Sequence, residues 1–406
     1  MLPLSCDDHA SPTRERGKTP PPSLARRASV ESPPRAAYIH VPFCARRCGY
    51  CNFTVIAGRD DLIDRYLEAI ELELAALGQP REIDTLFLGG GTPTHLAVDQ
   101  LRRLLASVSR WFPLAAGAEA SVEANPADLD AGKAALLAEH GITRISLGAQ
   151  SFYPDKLRLL ERDHDPDDIR RSFALARSHF ASVSLDLIFG APGETLASWL
   201  ADLDAALALA PDHISTYGLT YERGTTFWGR RSKGHLVQLD ESLERSMFEA
   251  AIDRLSSAGF EHYEVSNFAQ PGRRCRHNEV YWAGKSYYAA GPGAARYVDG
   301  RREVNHKSPT TWLKRVLAGD SPVAEEETLS PEDRAREMLV LGLRRIAGID
   351  RRDFAARTGF EIDELVGREL QRYLDLGLLI ADGSRIRLTR DGLFVSDAIW
   401  PDFLRA

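Results

Sequence analysis

The sequence has little of several features that mark common protein classes. Only five cysteines occur in 406 residues, and three of them are clustered, so a disulfide framework is excluded and a reducing compartment, the cytoplasm, is expected. No apolar run approaches the roughly 18 residues that span a bilayer, so we expect no integral membrane segment. The formal net charge of −7 offers no general basic field for nucleic acid. The sequence therefore predicts a globular protein that does not bind nucleic acid and has no integral membrane segment.

Residues 1–35 contain almost no large apolar side chains. They are rich in proline, arginine, serine and threonine, which predicts a disordered tail. The prolines interrupt any amphipathic helix of a transit peptide, and the apolar core of a signal peptide is missing. We therefore exclude this segment from the predicted fold.

From residue 36 onward the sequence alternates strand and helix patterns. The predicted strands cover residues 36–41, 85–88, 120–124, 143–147, 182–188 and 213–219. Regular alternation predicts parallel strands with helical crossovers, and six units fit either an open sheet or an incomplete barrel. A chemically distinctive stretch follows every strand, as expected where strand ends open on one ligand-binding face. We therefore predict an α/β fold, an incomplete (β/α)6 barrel.

Three segments follow the tail in this prediction. The barrel covers residues 36–235, and an extension of the barrel covers residues 236–329. Residues 330–406 have three helical patterns followed by a strand pair, with a turn signal at Asp382 and Gly383, which predicts a winged-helix-like domain. Acidic residues offset the arginines of this domain, so an interaction or lid role is favoured over DNA binding.

The three clustered cysteines, Cys44, Cys48 and Cys51, come directly after the first predicted strand. Four thiolates would close an iron–sulfur cluster, whereas three leave one iron open to a non-protein ligand. A zinc site would need a fourth Cys or His at finger-like spacing, and no second pair follows. The spacing therefore favours an iron–sulfur site over three unrelated buried thiols.

Two further features are typical of a ligand site at the strand ends. The glycine run at residues 89–91 lets backbone approach a ligand closely, and no Lys-Ser/Thr ending follows it, so a nucleotide P-loop is not indicated. Glu123 and Asp186 lie at predicted strand ends, where carboxylates can bind an ammonium or hydroxyl group. A tight turn and solvated side chains are the alternatives to these interpretations.

The cysteine spacing, with Tyr50 before the last cysteine, resembles the radical S-adenosylmethionine (SAM) superfamily. The resemblance implies a [4Fe-4S] cluster on the three cysteines, with its open iron chelated by the amino and carboxylate groups of SAM. One electron, supplied by a donor such as a flavodoxin or ferredoxin, then cleaves SAM to a 5′-deoxyadenosyl radical. The SAM contacts implied by the resemblance are Tyr38, Tyr50, Gly90, Gly91, Thr92, Glu123, Gln150, Arg162, Asp186 and Thr220.

Longer stretches resemble the branch that contains oxygen-independent coproporphyrinogen III oxidase and the HemW-type haem chaperone. The stretches are Tyr-Ile-His-Val-Pro-Phe-Cys, Gly-Gly-Gly-Thr-Pro-Thr, Glu-Ala-Asn-Pro and Gly-Ala-Gln-Ser-Phe. Within this branch the oxidases resemble Cys-x3-Cys-x2-Cys-x-Cys, and Phe53 stands at the place of the fourth Cys. A second segment resembles the HNxxYW signature of the haem chaperone, with His277, Asn278, Tyr281 and Trp282.

The resemblance implies haem as a ligand and a haem-acceptor protein as a partner. It makes His277 the expected iron ligand, with aromatic rings packing on the macrocycle. Ala295 stands where the family usually carries a His, so any porphyrin contact of that His is missing. Two alternatives stay open at this point: an enzyme that decarboxylates coproporphyrinogen III to protoporphyrinogen IX, and a non-catalytic interaction scaffold.

Overall fold

The computed structural model describes residues 33–404, so residues 1–32 of the predicted tail lie outside the described residues. The six predicted strands are confirmed and lie side by side, all parallel, in chain order. They are β1 Ala36–Val41, β2 Ile83–Gly90, β3 Leu114–Ala124, β4 Arg144–Gln150, β5 Ser182–Phe189 and β6 His213–Gly218. This sheet is the scaffold for every candidate site residue that follows a strand.

Three short strands extend the sheet to nine. They are β7 Glu261–Glu264, β8 Asn267–Ala269 and β9 Tyr288–Ala290. Strand β9 lies parallel to β1 at one edge, while β8 and β7 add antiparallel strands beyond β6. The outermost strands, β9 and β7, do not pair with each other in the described part of the chain, so the sheet stays open. The predicted incomplete barrel is therefore confirmed.

Alternation within the strands separates an apolar face from a polar face. In β5 the apolar side chains Val183, Leu185 and Leu187 belong to the main core, whereas Ser184 and Asp186 point the other way. The same polar alternation occurs in the two neighbouring strands, at Ser146 and Gln150 of β4 and at His213, Ser215 and Tyr217 of β6. The helices therefore pack on one face of the sheet, and the opposite face presents polar groups.

Helices between the six parallel strands cover the apolar face, and further helices belong to the extension and to the C-terminal segment. In chain order they are α1 Ile63–Ala75, α2 Val98–Trp111, α3 Ala131–Glu139, α4 Pro154–Leu159, α5 Pro166–His179, α6 Leu196–Ala208, α7 Thr226–Ser232, α8 Glu241–Ser257, α9 Arg276–Trp282, α10 Pro309–Leu317, α11 Pro331–Leu343, α12 Arg351–Thr358, α13 Ile362–Asp375, α14 Arg390–Phe394 and α15 Ser396–Leu404. Helix α5 begins at an Asp165 cap with proline in its first turn, as capping preferences predict. None of the described helices is long and apolar enough to cross a membrane.

The C-terminal segment has its own apolar core, which includes Phe354, Ile386 and Phe403. The three predicted helices are α11, α12 and α13, and the predicted hairpin is confirmed as β14 Leu379–Asp382 paired with β15 Arg385–Leu388. A third strand that the sequence did not predict, β13 Ile349–Asp350, lies on the other side of β15. Three helices beside a three-stranded sheet match the predicted winged-helix-like arrangement.

The predicted extension contains a further antiparallel sheet. Its strands are β10 Ala295–Val298, β11 Arg301–Asn305 and β12 Val323–Thr328, with β11 in the middle. The sequence analysis assigned no strands here. The boundaries of the three predicted segments stay predictions, since residues 33–404 belong to one compact unit.

Candidate functional site

The cysteine loop is fastened at both of its ends. Two short strands, Phe43–Cys44 and Ile56–Ala57, pair in parallel, and the N–H of Ile56 donates to the carbonyl of Pro42 at 2.7 Å. Cys44 ends the first of these strands, and the loop between them carries Cys48 and Cys51. Its geometry is therefore set by backbone hydrogen bonds on either side of the thiols.

The glycine run after β2 forms the second support of the loop. The N–H of Gly91 donates to the carbonyl of Val41, and the N–H of Thr92 donates to that of Phe43, each at 2.8 Å. A Cβ atom at Gly91 would lie 2.6 Å from the Val41 carbonyl oxygen, so only glycine fits this close approach. The glycine run thus holds the cysteine loop against the carboxyl end of the sheet.

Two side chains contact the clustered thiols directly. The Thr92 hydroxyl lies 3.4 Å from Cys44 Sγ, and Arg162 Nη1 donates to Cys48 Sγ at 3.4 Å. Among the described residues, no three Cys, His, Asp or Glu side chains converge on the position of a single metal ion. A cubane cluster does not require such convergence, because each of its cysteines binds a different iron. The three thiols are partly exposed, and Thr92 and Arg162 lie within hydrogen-bonding distance of two of them. This arrangement fits such a cluster.

Glu123, at the end of β3, lies beside the glycine run. Its Oε2 accepts a hydrogen bond from the N–H of Gly90 at 2.8 Å. Burial raises the pKa of Glu123 to about 7, and the nearby negative charge of Asp186 adds to this rise. No Lys, Arg or His within the described chain forms an ion pair with either carboxylate. The pair therefore forms an acidic spot that fits a cationic group of a ligand.

Asp186 is oriented by serines from the two neighbouring strands. Ser146 Oγ lies 3.0 Å from both carboxylate oxygens, and the Ser215 hydroxyl also bonds to this carboxylate. These residues meet because β4, β5 and β6 are adjacent and the three positions share the polar face. Burial raises the pKa of Asp186. The site thus holds a preoriented carboxylate with hydroxyl donors on both sides.

Tyr38 lies on β1, where burial and, to a smaller degree, the charge of Glu123 raise the pKa of its phenol. Its hydroxyl is 3.0 Å from His40 Nδ1, and His40 Nε2 lies 2.7 Å from the carbonyl of Thr54 behind the cysteine loop. The ring of Tyr38 stacks on Phe87 with centroids 6.2 Å apart. Hydrogen bonds from Tyr38 to His40 and from His40 to Thr54 therefore connect the first strand to the far end of the cysteine loop.

The remaining predicted SAM contacts fall in different surroundings. Tyr50 packs edge-on against Phe227 of α7. Burial raises the pKa of its phenol, and the positive charge of Arg162 opposes this rise. Gln150 ends β4 with a positive φ of 65°, a left-handed conformation that aims the chain sharply into the next loop. Thr220 follows β6 and is exposed. The structure thus brings most of the predicted residues to one end of the sheet, with Thr220 at its rim.

The HNxxYW segment lies at the opposite end of the strands. Its residues form α9, whose first N–H groups, those of Arg276 and His277, donate to the Glu119 carboxylate at 3.1 and 3.0 Å. His277 is fully buried, with Nδ1 3.0 Å from the Thr85 hydroxyl and Nε2 2.9 Å from the Tyr281 hydroxyl. Burial lowers the pKa of His277 to about 3. In this conformation neither ring nitrogen of His277 is free to bind iron.

The other residues of this segment belong to the same helix. Asn278 and Trp282 are half-buried, and the guanidinium of Arg344 lies 4.7 Å from the centre of the Trp282 ring. The ring of His277 stacks on Phe87 at 5.4 Å, on the side of the sheet where Phe87 also contacts Tyr38. A chain of rings therefore connects α9 with the first strand and the cysteine loop.

Comparison with known proteins agrees with this arrangement. The model of the radical SAM superfamily matches residues 38–206, and the model of the HemN C-terminal domain matches residues 329–395. Heme chaperone HemW of Bacillus subtilis is 35% identical over 376 residues, which cover 91% of this chain and 99% of that protein. Heme chaperone HemW of Escherichia coli is 33% identical over 387 residues, 92% of this chain and 99% of that protein. The chain belongs to the HemW family of the radical SAM superfamily.

A solved structure supports the fold of this HemW-family protein. Coproporphyrinogen III oxidase (HemN) from Escherichia coli, a radical SAM enzyme, superposes with a TM-score of 0.80 over 91% of this chain and 90% of that one. The two sequences are 24% identical, so the similarity shows the fold alone. The incomplete barrel with a C-terminal helical domain is therefore the radical SAM fold of this family.

Sequence reasoning missed several residues that position the site in this HemW-family chain. Asn125 Oδ1 accepts from Arg162 Nη2 at 3.1 Å, and Glu73 accepts from the N–H of Gly291 at 3.0 Å in the loop before Ala295. The serines that hold Asp186 were missed as well, although Ser146 alternates with the glycine and glutamine of β4 in the sequence. Glu73 gave no such signal, because it is one of several glutamates on the amphipathic helix α1.

Proposed function

We propose that this chain is a haem chaperone that carries a [4Fe-4S] cluster and SAM, binds haem and delivers it to an acceptor protein. The observation that supports the proposal is the similarity, over nearly the whole length of both chains, to proteins named haem chaperones. The cysteine loop agrees with it, since Phe53 occupies the position at which the oxidases resemble a fourth Cys. Cytoplasmic location stays a prediction from cysteine usage.

The cluster would be held by Cys44, Cys48 and Cys51. With SAM on its open iron, a [4Fe-4S] cluster supplies one-electron chemistry at the carboxyl end of the barrel. Glu123 and Asp186 would bind the SAM ammonium and ribose hydroxyls, because they are half-buried carboxylates without an ion-pair partner in the described residues. The electron would come from a one-electron carrier such as a flavodoxin or ferredoxin.

The haem site is proposed at the HNxxYW segment. His277 binds iron only after its hydrogen bonds to Thr85 and Tyr281 are broken, so α9 has to leave its buried position first. Tyr281 and Trp282 would then supply aromatic contacts to the macrocycle. Ala295 provides no iron ligand, so any porphyrin contact that the family's His makes at this position is missing from the site.

A parallel anaerobic assay tests the proposed function. The reconstituted protein is given haem in one arm and coproporphyrinogen III in the other, both with SAM and a reductant. We expect a Soret shift on haem addition, transfer of haem to an apo acceptor protein, and no formation of protoporphyrinogen IX. Turnover of coproporphyrinogen III without stable haem binding would instead favour the oxidase.

Haem titration into single variants tests the ligand. His277→Ala should lose the Soret shift of the parent, whereas His235→Ala, an exposed histidine in a loop, should keep it. Circular dichroism of both variants checks that the fold is retained. Identical haem affinity and spectra in parent and His277→Ala would exclude His277 as the ligand and leave the chaperone function itself open to another site.

A further inference from the structure

The guanidinium of Arg162 connects two of the loops that follow the strands with the end of strand β4. Nη1 donates to Cys48 Sγ at 3.4 Å, while Nη2 donates to Asn125 Oδ1 at 3.1 Å and to the carbonyl of Gly148 at 3.2 Å. The loops after β1 and β3 and the end of strand β4 before Gln150 therefore share one planar donor. Two hydrogen bonds to fixed acceptors hold Nη2. Because the guanidinium is planar, Nη1 is then oriented toward the sulfur of Cys48.

The charge of Arg162 has no carboxylate partner among residues 33–404. Within the described chain no Asp or Glu lies within ion-pairing distance of it, and its Nε is buried without a hydrogen-bond acceptor. A partly buried guanidinium of this kind needs a negative counter-charge. The nearest group able to supply one is the sulfur of Cys48, which becomes a thiolate when it binds a metal.

We infer that Arg162 raises the reduction potential of the cluster through its hydrogen bond and charge at the Cys48 sulfur, independently of SAM. The inference rests on the proposed cluster at the three cysteines. One-electron reduction adds a negative charge to the cluster, and a cationic N–H donor at a ligand sulfur stabilises the more negative state. This role differs from the SAM contact predicted for Arg162, because it operates before SAM binds.

The test is a redox titration of the reconstituted protein without SAM, followed by electron paramagnetic resonance. The variants are Arg162→Gln, which removes the charge, and Arg162→Lys, which keeps the charge but lacks the planar fork. Arg158→Gln is the matched control, since Arg158 lies on α4, is exposed and pairs only with Asp155 on the same helix. Iron and sulfide content is measured for every protein.

At a fixed potential, Arg162→Gln should show at least a tenfold lower ratio of reduced to oxidised cluster, which corresponds to about 59 mV for one electron. Arg162→Lys should fall between it and the parent, and Arg158→Gln should match the parent. A midpoint in Arg162→Gln equal to that of the parent, at equal cluster content, would overturn the inference. If Arg162→Gln holds no cluster, a parental midpoint in Arg162→Lys would overturn it. A parent protein without a cluster would instead refute the proposed function.

Discussion

Replacing Gly91 by alanine should loosen the cysteine loop while leaving all three cysteine thiols in place. The added Cβ would lie 2.6 Å from the carbonyl oxygen of Val41, 2.7 Å from that of Phe43 and 2.9 Å from the carbonyl carbon of Pro42. All three are backbone atoms, so a side-chain rotation cannot relieve the overlap. The chain before the first cysteine has to move instead.

The size of this effect follows from the contact distances. Restoring a van der Waals separation near 3.5 Å requires a displacement of about 0.8 Å. The two 2.8 Å hydrogen bonds from Gly91 and Thr92 to the loop would then approach about 3.6 Å, beyond useful range. Two lost bonds cost about 1–3 kcal/mol and overpacking about 1–3 kcal/mol, so the free energy of unfolding should fall by about 2–6 kcal/mol.

Denaturant unfolding of the apoprotein measures the loss of stability, and iron and sulfide content after reconstitution measures the damage to the site. Gly229→Ala is the matched control, because a Cβ atom there meets nothing within 4 Å on helix α7. The control should be neutral or more stable by about 0.5–1 kcal/mol. A Gly91→Ala protein with the unfolding midpoint and cluster content of the parent would refute the argument that this contact holds the loop.

Alanine at any one of the three clustered cysteines should remove most of the visible charge-transfer absorption of the cluster. Cys275→Ala, far from the loop, should keep this absorption. Full cluster content in every variant would contradict the assignment. Glu123→Gln should weaken SAM binding about ten- to hundredfold. In the parent, SAM affinity should rise as pH increases through about 7, the raised pKa of Glu123, and calorimetry should find this rise reduced in the variant. Burial raises the pKa of Glu73 from 4.5 to about 7. The contribution of protonated Glu73 to stability is therefore complete below about pH 4.5 and is lost as the pH rises through 7. The urea midpoints at about pH 5 and about pH 8 should differ less in Glu73→Gln than in the parent.

The parallel strands were predictable because a strand buried on both sides shows as a short apolar run between helical patterns. Strand β9, Tyr288–Ala290, was not, because three residues with two alanines carry no alternation, and only its pairing with β1 makes it a strand. The hairpin of the C-terminal domain was visible through its Asp-Gly turn. Its third strand, two residues long, was not.

The candidate site shows the same division between local and long-range information. Glu123 and Asp186 were identified by their place at strand ends, and the structure brings them near each other. The surroundings of His277 could not be read from the sequence, because both of its hydrogen-bond partners are set by the packing of α9. Spacing identifies a residue type that can bind iron, but not whether its ring nitrogens are already engaged.

The pairing of β9 with β1 has a consequence for synthesis of the chain on the ribosome. Ala37 pairs with Tyr288, a separation of 251 residues. At a translation rate of about 5–20 residues per second, that edge of β1 waits on the order of 10–50 s for its partner. Unpaired strand edges template aggregation, and this one adjoins the cysteine loop. Slowing translation downstream of β6 should therefore lower the yield of soluble protein more than slowing it after residue 290.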